Sequence, residues 1–197
     1  MYIGIIRELE KWAKELNEVF TLSDLKVVLR EKSQATLFRK IKELINCGEL
    51  LKVKRGLYAT PKASLEIISA RIESNAYIST GTVLAQNAVI GSIPGFKVQA
   101  VKLGKPRKYS CELGVIEHLS IEKKYYFGYT TDNGLLKATP EKAFIDTWYY
   151  TYKGQRFSFN AQSDVVLDNL DKKLIKQYLA VYDQKFSTYF NKNIGAI

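Results

Sequence analysis

Acidic side chains in the last third of the chain are the first residues whose spacing could support catalysis. Asp164, Asp168 and Asp171 are separated by four and three residues, so one helical face could gather their carboxylates. Carboxylates grouped in this way can hold the metal ions of a nucleic-acid-processing enzyme. Asp164 and Asp171 also stand where helices are expected to begin, and capping and the helix dipole favour acidic residues there. We therefore interpret these residues as structural and keep the enzyme as an alternative hypothesis.

The other candidates for catalysis are isolated. His118 is the single histidine of the chain and lies in a mixed apolar segment, GVIEHLS, while Asp146 is expected to anchor a loop or to pair with a basic residue. The sequence contains neither a GxxxxGK[ST] phosphate loop nor a GxGxxG motif after a strand. Cys47 and Cys111 form no CxxC pair. The sequence thus predicts a protein that is not an enzyme and that uses no metal and no cofactor.

The charge of the chain indicates what it binds. Its 197 residues include 30 lysines and arginines against 20 acidic residues, which gives a net charge of +10. A basic balance of this size favours a polyanionic partner, either nucleic acid or an anionic membrane surface. No run approaches the roughly 18 apolar residues of a membrane span, and the first residues do not resemble a secretory signal. We expect a cytoplasmic protein that binds nucleic acid and no membrane.

The order of the predicted helices and strands in residues 1–62 indicates a fold that binds nucleic acid. Apolar residues recur at helical spacing over residues 1–18 and 33–46, with a short helix expected between them. Ser33 suits the N-cap of the third helix, and Gly48 follows its last turn. The segment LLKVKRGLYATP, residues 50–61, has the pattern of a β-hairpin with a basic tip. Three helices followed by such a hairpin predict a winged helix-turn-helix over residues 1–62, in which the hairpin is the wing.

The third helix would enter the major groove of DNA, with its first turns against the base edges. Five residues are assigned to its apolar face: Leu37, Phe38, Ile41, Leu44 and Ile45. The opposite face and the wing supply the candidate DNA-binding residues: Ser33, Gln34, Ala35, Thr36, Arg39, Lys40, Lys52, Lys54 and Arg55. The alternative for each of them is a solvated surface, or a winged helix that binds protein.

The side chains of these candidates suit different parts of a duplex. Arg39 can donate two hydrogen bonds to guanine, and the methyls of Ala35 or Thr36 can meet a thymine methyl. Ser33 and Gln34, at the start of the helix, could hold a phosphate. The lysines and Arg55 would neutralise phosphates on either side.

Residues 63–197 are predicted to form a second, mixed α/β domain with short strands and closing helices. Strands are indicated in KVQAVKLGKPRKYS, KKYYFGYTT and LLKAT. Helices are expected near 64–75, near 80–89 before a break at Gly91 and Pro94, and near 139–153. Thr139 and Pro140 suit the start of the last of these, and one or two further helices are expected to close the chain. The two domains together predict an α+β fold.

The second domain also contains cations and aromatic residues that could bind nucleic acid. Each domain carries a net charge of +5, and a second basic patch is expected from Lys97, Lys102, Lys105, Arg107 and Lys108. Its alternative is an exposed strand edge that lysines protect against pairing with another sheet. The cluster Trp148, Tyr149, Tyr150 and Tyr152 is expected in the core, but such rings could also stack on unpaired bases. An RNA-binding module acting on tRNA or another structured RNA is therefore an alternative function.

Four segments resemble the AbiEi family of antitoxins. They are RGLYATP at the end of the wing, YISTGTVL, KPRKY and LLKATPEKAFIDTWYY, of which ATPEKAFID is the most specific. The resemblance runs from about residue 22 to residue 150 and includes the helical tail. AbiEi proteins are the antitoxins of type IV toxin–antitoxin systems, which are linked to abortive phage infection.

The resemblance implies two activities. The winged helix would bind inverted repeats in the promoter of its own operon and repress transcription. The C-terminal domain would supply antitoxicity, and its positive surface would help to hold DNA. The implied functional partner is a nucleotidyltransferase-like toxin, without a stable complex between the two proteins. We expect a monomer in solution that pairs on DNA.

Overall fold

The first part of the chain folds as a winged helix-turn-helix in the computed structural model, which describes residues 2–91 and 95–195. Its helices are α1 (Tyr2–Glu15), α2 (Leu22–Val28) and α3 (Gln34–Asn46). Its strands are β1 (Val19–Thr21), β2 (Leu51–Lys54) and β3 (Leu57–Ala59), which form an antiparallel sheet in the order β1-β3-β2. The predicted helix order and wing are therefore present, and the sheet gains a strand, β1, that the sequence did not predict.

Local capping explains where the two central helices begin. The Thr21 side chain accepts the backbone N–H of Asp24 while the Asp24 carboxylate accepts the N–H of Thr21, which is a capping box at the start of α2. Ser33 caps α3 by accepting the N–H of Thr36. Gly56 stands in the tight turn of the wing with φ of +77°, a conformation that costs glycine little.

The second part of the chain surrounds a mixed six-stranded sheet. Its helices are α4 (Leu65–Ile72), α5 (Thr80–Gln86), α6 (Pro140–Tyr152), α7 (Lys172–Leu179) and α8 (Gln184–Ile194). Its strands are β4 (Tyr77–Ile78), β5 (Lys97–Lys102), β6 (Arg107–Cys111), β7 (Gly114–Ser120), β8 (Tyr129–Asp132) and β9 (Leu135–Ala138). The order is β6-β7-β5-β4-β9-β8, with β5/β7 and β4/β9 parallel and the other pairs antiparallel. The α+β prediction is confirmed.

Helices cover both faces of this sheet. Tyr77 is the pairing partner of Val101, whereas His118 pairs with Ala100, one residue earlier on β5. Because neighbouring residues of a strand point to opposite faces, Tyr77 and His118 lie on opposite faces. α4 covers the His118 face and α6 covers the Tyr77 face, with α7 and α8 packed on α6.

A shared hydrophobic cluster joins the two parts of the chain. It contains Val53 and Leu57 of the wing, Ile68 of α4 and Ile116 of β7. β2, at the edge of the three-stranded sheet, also lies beside β6, at the edge of the six-stranded sheet. The wing therefore packs against the second part of the chain.

Some local predictions differ from the structure. Within KKYYFGYTT only the last residues enter a strand, and Lys123–Tyr125 form a 3₁₀ turn instead. β4, β6 and β7 form strands that the sequence did not predict. The predicted break at Pro94 lies outside the described residues. In the described part of the chain, every helix is too short or too polar to cross a bilayer.

Candidate nucleic-acid interface

The outer face of α3 is open at its first two turns. Ser33, Gln34, Ala35 and Arg39 are exposed, whereas Thr36 is half-buried. The Ser33 hydroxyl lies 3.5 Å from the backbone nitrogen of Thr36, so it caps the helix and remains at the surface. These positions give a helix start whose side chains a DNA groove can reach, with Thr36 at its margin.

Phe38 is the main departure from the sequence prediction on this helix. The spacing predicts that Phe38 lies on the apolar face, but 44% of the residue is exposed. Leu37, Ile41 and Leu44 form the buried stripe. At about 100° per residue, Phe38 is turned from Leu37 toward the open face. The assignment of Phe38 to the apolar face is therefore wrong, and its position on the helical wheel, about 100° from Leu37, already indicates an exposed side chain.

The other lysines near α3 divide into paired and open ones. Lys40 forms an ion pair with Glu31, and only 22% of its side chain is exposed. Lys42, which lies one turn after Phe38, is exposed. Lys26 and Lys32 are also exposed and border a hollow of about 350 Å³ between α2 and the start of α3. The first helix of a helix-turn-helix crosses the phosphate backbone, so these two lysines are candidates that sequence reasoning missed.

The wing presents its three cations differently. Lys52 and Arg55 are exposed, whereas Lys54 is half-buried. The Lys54 ammonium lies 5.9 Å from the centroid of the Tyr109 ring on β6. Lys54 therefore contacts the second part of the chain, and Lys52 and Arg55 are the cations of the wing that face solvent.

Ion pairs also divide the second basic patch. Lys97 Nζ lies 2.8 Å from Glu117 Oε2, and Lys102 Nζ lies 3.1 Å from Glu73 Oε2, so both ends of β5 carry neutralised lysines. Three cations of the patch remain exposed: Lys105, Arg107 and Lys108. They belong to β6 and the turn before it, which border the wing. Lys108 also reaches Glu117 at 3.7 Å, but 64% of its side chain stays exposed.

A buried polar network occupies the centre of the second part. Lys142 and Asp146 form an ion pair in which neither side chain is exposed. Lys142 Nζ donates to the hydroxyls of Tyr77 and Tyr182, each at 3.1 Å. Asp146 Oδ2 accepts from the Ser79 hydroxyl at 2.8 Å and from Tyr77 at 3.0 Å. The prediction that Asp146 pairs with a basic residue is confirmed.

Burial sets the protonation of this network. Burial lowers the pKa of Lys142, whereas the charge of the neighbouring Asp146 carboxylate raises it. Burial, followed by the charge of Asp146, raises the pKa values of Tyr77 and Tyr182 well above the usual range of tyrosine. The two tyrosines therefore remain neutral hydrogen-bonding partners of the ion pair.

His118 lies on the opposite face of the sheet. It is 1% exposed, and its Nε2 is 2.9 Å from the Ser69 hydroxyl of α4. Burial, with the charges of Lys102 and Lys54, lowers the pKa of His118 to about 4, while the charge of Glu73 acts in the opposite direction. This histidine is neutral near pH 7 and bridges α4 and β7.

The remaining catalytic and stacking candidates have local roles. Asp171 caps α7, as predicted, by accepting the N–H groups of Lys173 and Leu174. The predicted helix start at Asp164 is wrong, because this residue lies in a bend and accepts the N–H of Asn160. In residues 2–91 and 95–195, no three His, Cys, Asp or Glu side chains are placed to hold a metal ion together. The aromatic cluster on α6 is core for Trp148, Tyr149 and Tyr150, whereas Tyr152 is 38% exposed.

Comparison with known proteins shows similarity in the fold. No protein-family model matches the chain, and no curated protein matches it. The crystal structure of the RV2827C protein from Mycobacterium tuberculosis is similar, with a TM-score of 0.63 over 95% of this chain and 75% of that chain. The two sequences are 14% identical, so this likeness concerns the fold alone.

Proposed function

We propose that the protein is a sequence-specific double-stranded DNA-binding repressor of its own operon and the antitoxin of an AbiEi-type, type IV toxin–antitoxin pair. The observation that carries the DNA-binding half is the open start of α3, where Gln34, Ala35 and Arg39 are exposed together. A helix of a winged helix-turn-helix uses these first turns to contact base edges.

Each exposed side chain has a role in this proposal. Arg39 donates to guanine in the major groove, and Gln34 and Ala35 contact the neighbouring base or phosphate. Lys26 and Lys32 hold one phosphate strand beside α2, and Lys52 and Arg55 of the wing hold another. Lys105, Arg107 and Lys108 extend the cationic surface beyond the wing, as the family resemblance implies for the C-terminal domain.

The antitoxin half of the proposal rests on the family resemblance. Two of the segments that carry it, YISTGTVL and ATPEKAFID, meet inside the second part of the chain. Tyr77 and Ser79 of the first segment bind Asp146 of the second, and Tyr77 also accepts from Lys142. These two segments therefore form one physical unit, which supports treating the pair as a single motif.

The DNA-binding half predicts preference for the inverted repeat upstream of the gene. Fluorescence anisotropy with that duplex and a scrambled duplex should give a lower Kd for the repeat and a steep fall in affinity as salt rises, because several phosphate contacts release counterions. Arg39→Ala should weaken binding to the repeat by about 5- to 150-fold, equivalent to about 1–3 kcal/mol, and reduce discrimination.

A matched control is Arg156→Ala, which removes an exposed arginine that follows α6. This variant should keep the wild-type preference. Equal affinity of the wild-type protein for the repeat and the scrambled duplex would remove the repressor from the proposal. Tighter binding to structured RNA than to either duplex would favour the RNA-binding alternative.

The antitoxin half predicts rescue of growth. A nucleotidyltransferase-like protein encoded next to this chain should inhibit growth when expressed from an independent promoter, and co-expression of this chain should restore it. Arg39→Ala should still rescue, because the toxin's expression no longer depends on the repressor. Continued growth arrest with both proteins present and folded would contradict the antitoxin assignment.

A further inference from the structure

Phe38 is an exposed aromatic ring within a cationic face. It lies on the second turn of α3, three residues after Ala35 and four before Lys42, and Arg39 follows it directly. Residues three and four apart are neighbours on a helix surface, so Ala35, Phe38 and Lys42 form one row. An isolated exposed hydrophobic residue needs no explanation, but this ring stands in the row expected to face the bases.

Packing within the chain leaves 44% of Phe38 exposed. The buried stripe of α3 consists of Leu37, Ile41 and Leu44. Among the described residues, Phe38 takes part in no aromatic pair, whereas rings on α6 and α8 pack edge-to-face against one another. Phe38 is thus available to a partner that approaches α3 from outside.

The chemistry of the major groove limits what an apolar ring can recognise there. Thymine presents a C5-methyl group, and apolar side chains such as phenylalanine and alanine contact it. The exposed Arg39 beside the ring suits guanine, since its guanidinium can donate to the O6 and N7 acceptors. An arginine and an apolar pair next to each other therefore suit a guanine next to a thymine.

We infer that Phe38, together with Ala35, reads a thymine methyl in each half-site, next to the guanine read by Arg39. This inference rests on the proposed DNA-binding function and adds a specificity-determining residue to it. The methyl would lie against the ring and leave water on binding, so its removal from the DNA should weaken the complex.

A uracil scan of the repeat tests this inference. Each thymine is replaced in turn by deoxyuridine, which lacks the C5-methyl but keeps the base-pairing edge. For the wild-type protein, one or two positions per half-site should lose about fourfold in affinity, because one methyl-sized apolar group is worth about 0.8 kcal/mol and 1.4 kcal/mol is tenfold. The other positions should change little.

Variants then assign the effect to the ring. Phe38→Ala should lose most of the difference between the thymine and uracil duplexes at the sensitive positions, because only Ala35 then contacts the methyl, and Phe38→Leu should retain a larger part of it. Phe96→Ala, which removes an 81% exposed ring before β5, should keep the wild-type pattern. Circular dichroism melting of each variant establishes that it is folded.

The outcomes separate the inference from the function on which it depends. If the wild-type protein prefers the repeat but every uracil position is neutral, or if Phe38→Ala keeps the sensitive positions, the inference is overturned and the repressor stands. If the wild-type protein shows no preference for the repeat at all, the repressor proposal fails first and the inference fails with it.

Discussion

α3 and α6 are both 13 residues long, but they place their polar residues in opposite surroundings. α3 buries one stripe and leaves Arg39 and Lys42 in water, whereas α6 buries every residue from Glu141 to Tyr150. The two parts of the chain carry the same net charge of +5. The comparison shows that charged residues of the same types can stand in water on one helix and inside the core on another.

The difference has an energetic consequence. An exposed cation retains its hydration, so its removal leaves the folding equilibrium almost unchanged. A buried charge has lost that hydration and depends on its partner and on hydrogen bonds. Lys142 and Asp146 are in this second situation, because neither side chain is exposed and tyrosine and serine hydroxyls complete the network.

The largest predicted effect therefore comes from breaking this pair. Asp146→Asn leaves the Lys142 ammonium buried without a counter-charge, which should lower the free energy of unfolding by about 3–5 kcal/mol. Arg39→Ala, the matched change on α3, should alter it by less than about 0.5 kcal/mol. Urea denaturation of the two variants at pH 7, monitored by circular dichroism, measures both values.

A double variant sharpens this test. Lys142→Met keeps most of the aliphatic stem, and combined with Asp146→Asn it leaves no charge at the site. The double variant should be more stable than the sum of the two single losses predicts, because the unpaired charge is gone. A cost below about 1 kcal/mol for Asp146→Asn, or strict additivity of the two changes, would show that the pair is solvated and that α6 does not differ from α3 in this respect.

The contrast between these helices also explains what the sequence could predict. Leu37, Ile41 and Leu44 recur at helical spacing, so the local sequence is enough to predict the amphipathic helix α3 and its cap at Ser33. The prediction for Phe38 is wrong because an apolar residue beside the stripe has the same spacing signal as one within it. The exposed fraction of a single side chain depends on packing that no local pattern records.

α6 shows both what the local sequence predicts and what it does not. Thr139 and Pro140 predicted its start from local chemistry alone, and the structure has the helix begin there. The burial of Lys142 depends on Tyr77 and Tyr182, which are 65 and 40 residues away in the chain. β4 was missed for the same reason, because two residues become a strand only through their neighbours β5 and β9.

His118 extends the comparison to a group that titrates. It lies between α4 and β7, with Nε2 bonded to Ser69 and the Tyr109 ring edge-on at 5.6 Å. Its Nδ1 is buried without a hydrogen-bond partner among the described residues. Protonation would place a second N–H and a positive charge in this site, close to the charges of Lys102 and Lys54.

The smaller prediction follows from the sign of this shift. The pKa of His118 is lowered from 6.5 to about 4, so between these values the unfolded chain binds a proton that the folded chain does not. The contribution of His118 to the free energy of unfolding is fully present above about pH 6.5 and is lost as the pH falls toward 4, by up to about 3 kcal/mol.

His118→Gln keeps an amide that can bond to Ser69 but does not titrate. Urea denaturation from pH 7 to pH 4 should therefore show the wild-type free energy of unfolding falling more steeply than that of the variant, while shared carboxylates affect both alike. Parallel curves would mean that His118 is accessible to protons in the folded state and that burial does not hold its pKa down.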